Sequence, residues 1–115
     1  MTGFRRALGA HGEDAVAAWY EARGYRIVDR NWRCREGELD LIARRGTVVV
    51  FCEVKTRTSS AFGAPVEAVT WRKQQRLRQL ARRWLLQAAG RPPSAMRFDV
   101  ASVLAGEIEI VEDAF

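Results

Sequence analysis

The sequence predicts an α/β fold, a mixed β-sheet flanked by helices with elements in the order α-β-β-β-α-β-β. Val48, Val49, Val50, Phe51, Cys52 and Val54 form a near-continuous apolar run, the mark of a strand covered on both faces. Leu77, Leu80, Ala81, Trp84, Leu85 and Ala88 recur at helical spacing and make one buried stripe. Other stretches alternate apolar and polar residues, as half-buried strands do.

The first helix is expected from about Arg5 to Arg23, ending at Gly24, a good residue just past a helix end. Its buried face is read as Leu8, Ala15, Val16, Trp19 and Ala22, with Glu13 at the edge and Asp14 turned to solvent. Tyr25 to Trp32 reads as a strand, followed by a polar connector from Arg33 to Glu36. Gly37 to Arg57 then reads as a hairpin turning at Arg45-Gly46. Thr56 to Ala64 is rich in Ser, Thr and Gly, without periodicity, and is expected to be a loop. Pro65 is expected to open the second helix, which runs to about Ala89 and stops at Gly90, before Pro92 and Pro93. Met96, Phe98 and Val100 alternate with Arg97 and Asp99, and Ala105-Gly106 turns the chain into an edge strand from Glu107 to Val111.

At 115 residues the chain has the length of one domain. Hydrophobic content of 48% with 29% charged residues is that of an ordinary globular protein. No apolar run approaches the roughly 20 residues of a membrane span, and no signal-peptide core is seen near the start, so the cytoplasm is the expected address. Cys34 and Cys52 are isolated, which argues against zinc and against a disulfide framework. The single His11 leaves little support for His-based triads or metal sites. A net charge of +5 points to a polyanionic partner, nucleic acid before membrane.

The hairpin carries the chemistry. With a turn at Arg45-Gly46, Arg44 lies opposite Thr47, Asp40 opposite Phe51 and Glu38 opposite Glu53. Glu38, Asp40, Glu53 and Lys55 would then share one face, because side chains alternate along a strand. A carboxylate at the end of a buried run is costly unless it is paired or bound to an ion. Folding does not require such a patch, whereas a divalent metal site does; the plain alternative is a salt bridge at a solvated strand end. Of the 19 basic residues only Lys55 and Lys73 are lysine, which suggests that a compact, titratable ammonium matters there. Lys73 falls on the buried stripe of the second helix and needs an acidic partner, for which this patch is the candidate. Glu13 is placed where it could reach the patch. Arg57, Thr58, Ser59 and Ser60 suit phosphate contacts or plain solvation. Arg72, Arg76 and Arg83 form an outer basic ridge, either tracking phosphates or simply solvated. The bland reading of Asp99 is a local ion pair with Arg97.

Asp40, twelve residues, then Glu53-Val54-Lys55 resembles the core of the PD-(D/E)xK nuclease superfamily. More specifically, LGAHGE at Leu8 to Glu13, GELDLIA, EVKTR, the FGxP of Phe62 to Pro65, and RFDV at Arg97 to Val100 resemble the YraN family of uncharacterised bacterial proteins, over nearly the whole chain. The resemblance implies a restriction-endonuclease-like fold, with Asp40, Glu53 and Lys55 as the nuclease signature and Glu13 as an accessory carboxylate. Leu39 stands where the superfamily motif has proline. The glutamine-tyrosine motif of the RecB-type branch is absent, Arg78 and Gln79 standing where its tyrosine would be.

The activity so implied is metal-dependent hydrolysis of phosphodiester bonds in DNA, including branched or structured DNA. Asp40 and Glu53, with a main-chain carbonyl near Val54, would hold Mg²⁺ or Mn²⁺, hard ions that take oxygen ligands. Lys55 would orient the attacking water or stabilise developing charge. Glu13 is a candidate for a second ion, and Glu38 for a further ligand or for pairing with Arg45 or Lys73. Lys73, Arg57, Arg72 and Arg76 are the candidate nucleic-acid contacts. Paired cuts would call for a homodimer, with Trp32, Trp71 and the tail strand as candidate contacts. Two rivals stand beside this reading: a catalytically inactive nucleic-acid-binding module, and an interaction protein whose acids form a structural ion-pair cluster.

Overall fold

A central strand covered on both faces needs a helical layer on each side, and the chain supplies one before it and one after it. The computed structural model describes residues 2–57 and 69–115, with side chains from residue 11 onward. Helix α1 (Thr2–Glu21) is followed by strands β1 (Arg26–Cys34), β2 (Gly37–Arg45) and β3 (Val48–Arg57). Helix α2 (Trp71–Gln87) and strands β4 (Ala95–Leu104) and β5 (Glu107–Val111) complete the expected order. The strands form one sheet in the order β1-β2-β3-β4-β5. β3 and β4 are parallel and the other neighbours antiparallel, so the sheet is mixed. Parallel neighbours need a crossover connection, and α2 lies within the one between β3 and β4.

Alternation along the strands divides the apolar residues between two cores. Val49, Phe51, Phe98 and Val100 pack with Leu77, Leu80, Ala81 and Trp84 of α2. Val50, Cys52, Ala101 and Val103 pack with Val16, Ala17 and Tyr20 of α1. The C-terminal residues join the α2 side: the Ala114 N–H donates to the Phe98 carbonyl (2.7 Å), and the Phe115 ring stacks on Phe98.

The structure corrects several expectations. The buried face of α1 is Val16, Ala17 and Tyr20, while Trp19 is half-buried and Ala22 exposed; the face is rotated by one residue because Tyr20 finds a buried hydrogen-bond partner. Helix α2 begins at Trp71 rather than Pro65, with Thr70 in extended conformation accepting the Lys73 N–H as its N-cap. The second hairpin pairs Arg45 with Val48, so its turn is Gly46-Thr47. Two-residue hairpin turns need positive φ at the first central residue, which Gly46 (φ 60°) adopts without strain and arginine would not. The register is thus displaced by two residues, which leaves the facing of each side chain unchanged. The loop residues Thr58, Ser59 and Ser60, the FGxP motif and Pro65 lie outside the described residues.

Candidate functional site

Glu53 is the centre of the cluster. It follows Phe51 on β3 by two positions and so projects to the α2 side, where its side chain is only 9% exposed. Its Oε1 lies 3.3 Å from Lys55 Nζ and 3.1 Å from Lys73 Nζ. Lys55 shares the face of Glu53 because it stands two residues further along the same strand. Lys73 arrives on the first turn of α2, which the Thr70 cap holds in place.

Asp40 meets the cluster from β2. The regular β2–β3 ladder runs only as far as Leu41↔Cys52, and beyond it the Val54 N–H donates to Asp40 Oδ2 at 2.9 Å. A carboxylate has replaced a main-chain carbonyl as the partner of that amide. Leu39 and Leu41, two apart, belong to opposite cores, so strand alternation breaks at Asp40. The β1–β2 ladder also skips this position, passing from Arg30↔Leu41 to Trp32↔Leu39, and the intervening Asn31 is left-handed (φ 51°). The expected single face of acids is therefore not built by alternation; a local irregularity turns the Asp40 carboxylate toward β3.

Electrostatics tie these groups together. Burial, reinforced by the neighbouring Glu53, raises the Asp40 carboxyl to about 7; the Val54 N–H opposes this, while Glu13 and Glu38 add to it. Burial and the adjacent Lys73 hold Lys55 below the usual lysine value, against the pull of Glu53. Burial also works against the charge on Lys73, but its contacts with Lys55 and Glu53 outweigh it and leave that ammonium raised. Of the two amines, Lys55 is the readier to lose its proton.

The other candidates are placed less centrally. Glu13 accepts from Asn31 Nδ2 at 3.0 Å and lies 3.9 Å from Arg30, acting on Asp40 through space. Its helix approaches β3 closely, since a Cβ on Gly12 would fall 2.1 Å from Thr56 Oγ1. Glu38 pairs with Arg33, its cross-strand partner, rather than with Arg45 or Lys73. Arg45 instead donates to the Arg23 carbonyl and lies over the Tyr25 ring. Arg57 ends β3, half-buried. Arg72 and Arg76 are exposed, but the stem of Arg76 lies against Gly37 on the β2 flank of α2 rather than on its outer face, and Arg83, of the same expected ridge, pairs with Glu36.

Asn31, Gly12 and Thr56 were not singled out from the sequence, although an internal helix glycine does hint at close backbone approach and asparagine tolerates left-handed φ. Asp99 was read only as a local partner of Arg97. That pair is present at 2.8 Å, but Asp99 is fully buried and also accepts from the Tyr20 hydroxyl (2.6 Å) and the Asp113 N–H (3.0 Å).

Among the described residues, no group of three or more His, Cys, Asp or Glu is gathered as a metal cage. Asp40 and Glu53 line a cavity of about 10 Å³ with Phe51, Leu77, Phe98 and Phe115, close to the size of one water. A far larger cavity, about 850 Å³, opens between Arg26, Arg44, Trp84 and Pro92 at the other end of the sheet.

Residues 12–103 match the model of the family described as "Uncharacterised protein family UPF0102". The chain belongs to the UPF0102 family. A UPF0102 protein of Rhodococcus jostii (strain RHA1) is 53% identical over 95% of this chain and 96% of its own length. One of Nocardia farcinica (strain IFM 10152) is 55% identical over 89% of this chain and 80% of its own. The UPF0102 match spans Glu13, Asp40, Glu53, Lys55 and Lys73 and stops short of the C-terminal residues that pack on Phe98. No helix among the described residues is long and apolar enough to cross a membrane.

Proposed function

We propose that this UPF0102 protein is a divalent-metal-dependent nuclease that hydrolyses phosphodiester bonds in DNA, branched or structured DNA included. The observation that carries the reading is the convergence of Asp40 and Glu53 from separate strands beside Lys55, where burial and mutual repulsion raise Asp40 to about 7. Perturbed groups of this kind concentrate at functional sites.

The donor set suits Mg²⁺ or Mn²⁺. Magnesium is commonly held by one or two carboxylates, its other positions filled by water and substrate phosphate, so a three-acid cage is not required. Asp40 and Glu53, with a main-chain carbonyl near Val54, would hold the ion, and Glu13 is the accessory carboxylate. When bound, such an ion supplies Lewis acidity toward the phosphate and lowers the pKa of an attacking water. Lys55, already biased toward losing its proton, would orient that water or meet the charge that develops on the phosphate. Lys73 keeps its charge and would hold Glu53 in position until a cation and a phosphate displace it.

A panel of flap, junction, single-stranded and duplex DNA incubated with Mg²⁺ or Mn²⁺ tests this reading. Cleavage by the wild type should disappear in Glu53→Gln and Lys55→Ala while both variants remain folded. Cleavage that persists undiminished in Glu53→Gln would sink it. A second reading has an observation of its own: Glu53 is already neutralised by both ammonium groups, as in a structural ion-pair cluster of an interaction protein. That reading expects no divalent-ion binding and a thermal stability indifferent to chelator.

A further inference from the structure

Trp71 is 73% exposed, whereas Trp84 is buried with its indole N–H on Asp29, and Trp19 and Trp32 pack against the two cores. A lone exposed apolar side chain needs no explanation. Trp71 differs in its position and its neighbours. It is the first residue of α2, directly after the Thr70 cap and two before Lys73, whose ammonium lies on Glu53. Arg72, the next residue, is exposed, and so is Arg76 a turn further on, on the flank of α2 that faces Gly37; neither makes an ion pair among the described residues. No acidic residue occupies the first turn. An exposed indole on a capped helix start, with one unneutralised guanidinium next to it and another a turn away, is a combination that binds single-stranded nucleic acid: the ring stacks on a base and the cations follow the backbone. Bases within a duplex are stacked on one another and present no free face.

We infer that Trp71 is a base-stacking platform, and that the DNA engaged beside the acid–lysine cluster presents unpaired nucleotides at the start of α2. The inference takes from the nuclease reading only what happens to the strand afterwards; binding at the platform requires neither metal nor cleavage. It narrows the substrate to flaps, overhangs, branch points or single strands, with the blunt duplex as the poor ligand.

The test is binding of the full chain, in chelator, to a thymidine homopolymer and to a blunt duplex of equal length, followed by fluorescence anisotropy. Trp71→Ala should weaken the single strand by roughly 5- to 150-fold, the range of one lost base–aromatic stack, and leave the duplex within about twofold. Trp71→Phe should recover most of the affinity, and Leu86→Ala, which removes another exposed apolar side chain of α2, should change nothing. Equal loss on both probes, unchanged affinity in Trp71→Ala, or no binding of either probe overturns the proposal. So does a Trp71→Ala variant whose only change is a smaller sedimenting mass, since the ring would then be a contact between copies of the chain. A wild type that binds single strands through Trp71 yet cleaves nothing would keep the platform and discard the nuclease. One that cleaves all probes alike in both forms would do the reverse.

Discussion

Glu53 on β3 and Lys73 on α2 lie 3.1 Å apart across the interface of sheet and helix, and this contact joins the proposed chemistry to the fold. Lys73→Met keeps most of the stem and deletes the ammonium, leaving Glu53 with Lys55 as its one cationic partner among the described residues. A hydrogen bond to a charged group is worth about 1.5–3 kcal/mol when shielded, but the Lys73 side chain is 34% exposed. Solvent screening brings the expected loss to about 1 kcal/mol. Urea denaturation should show it, and Lys73→Arg should recover part. A Lys73→Met protein as stable as the wild type would mean the contact contributes nothing to folding.

Asp40 should make stability fall as pH rises. Its native pKa of about 7 lies above the ordinary 3.8, so between those values the folded protein binds more protons than the unfolded chain. Stability contributed by the protonated carboxyl is complete below about pH 4 and is lost as pH climbs through about 7. Asp40→Asn cannot titrate, so the gap between variant and wild type should widen in favour of the variant from pH 4 to pH 8. Parallel stability curves for the two proteins would show that Asp40 ionises normally. If the proposed metal site is right, added Mg²⁺ should restore the wild type more at pH 8 than at pH 5, because the ion would compete with the proton for the same carboxylate.

Gly12 sets how closely α1 approaches the end of β3. Gly to Ala inside a helix ordinarily gains about 1 kcal/mol, but here the new methyl meets Thr56 Oγ1 at 2.1 Å with Thr56 Cβ at 3.3 Å behind it. Overpacking costs about 1–3 kcal/mol, so the net effect expected of Gly12→Ala is a loss of about 1 kcal/mol. Thr56→Ala removes the obstructing oxygen, and the double variant should be more stable than the sum of the single effects predicts. Additive effects in that thermal-denaturation cycle would mean the two residues do not meet.

The element order was legible because it rests on patterns that each span a whole element: the apolar run through Phe51, the stripe through Leu77 and Trp84, and the alternation around Phe98. Glu53 and Lys73 could be grouped for a related reason, since burial made each of them costly alone, and Asp40 and Lys55 joined them through the facing expected of their strands. Legibility failed where one residue decides a backbone angle or a distant contact. Gly46 moved the hairpin turn by one residue, and Asn31 broke the alternation that was assumed to aim Asp40. Adjacent aromatics at 19 and 20 fit helical spacing about equally well. What buries Tyr20 rather than Trp19 is Asp99, a partner 79 positions away that no local pattern announces.

That buried carboxylate should matter more to folding than any single group of the acid–lysine cluster. Asp99 receives the Tyr20 hydroxyl from α1, the Arg97 guanidinium from its own strand and the Asp113 N–H from the segment after β5. Burial first, then Cys52 and Asp99, push the Tyr20 phenol upward, so it stays a donor at any ordinary pH. The contact with Asp99, opposed by some burial, likewise raises Arg97 and keeps it charged. Asp99→Ala leaves a partly buried guanidinium with Glu112 at 3.4 Å and Tyr25 beside it but without its carboxylate partner on β4, and loss of one member of a buried pair costs about 3–5 kcal/mol. Tyr20→Phe deletes one donor while the carboxylate keeps its others, for about 1.5 kcal/mol. Asp99→Ala should also release the Asp113 amide, so the neighbouring Ala114 N–H, bonded to the Phe98 carbonyl, should exchange with solvent faster. Tyr20→Phe should leave that exchange rate almost unchanged. Equal destabilisation by the two variants, with Ala114 equally protected in both, would mean that Asp99 anchors α1 but does not hold the C-terminal segment.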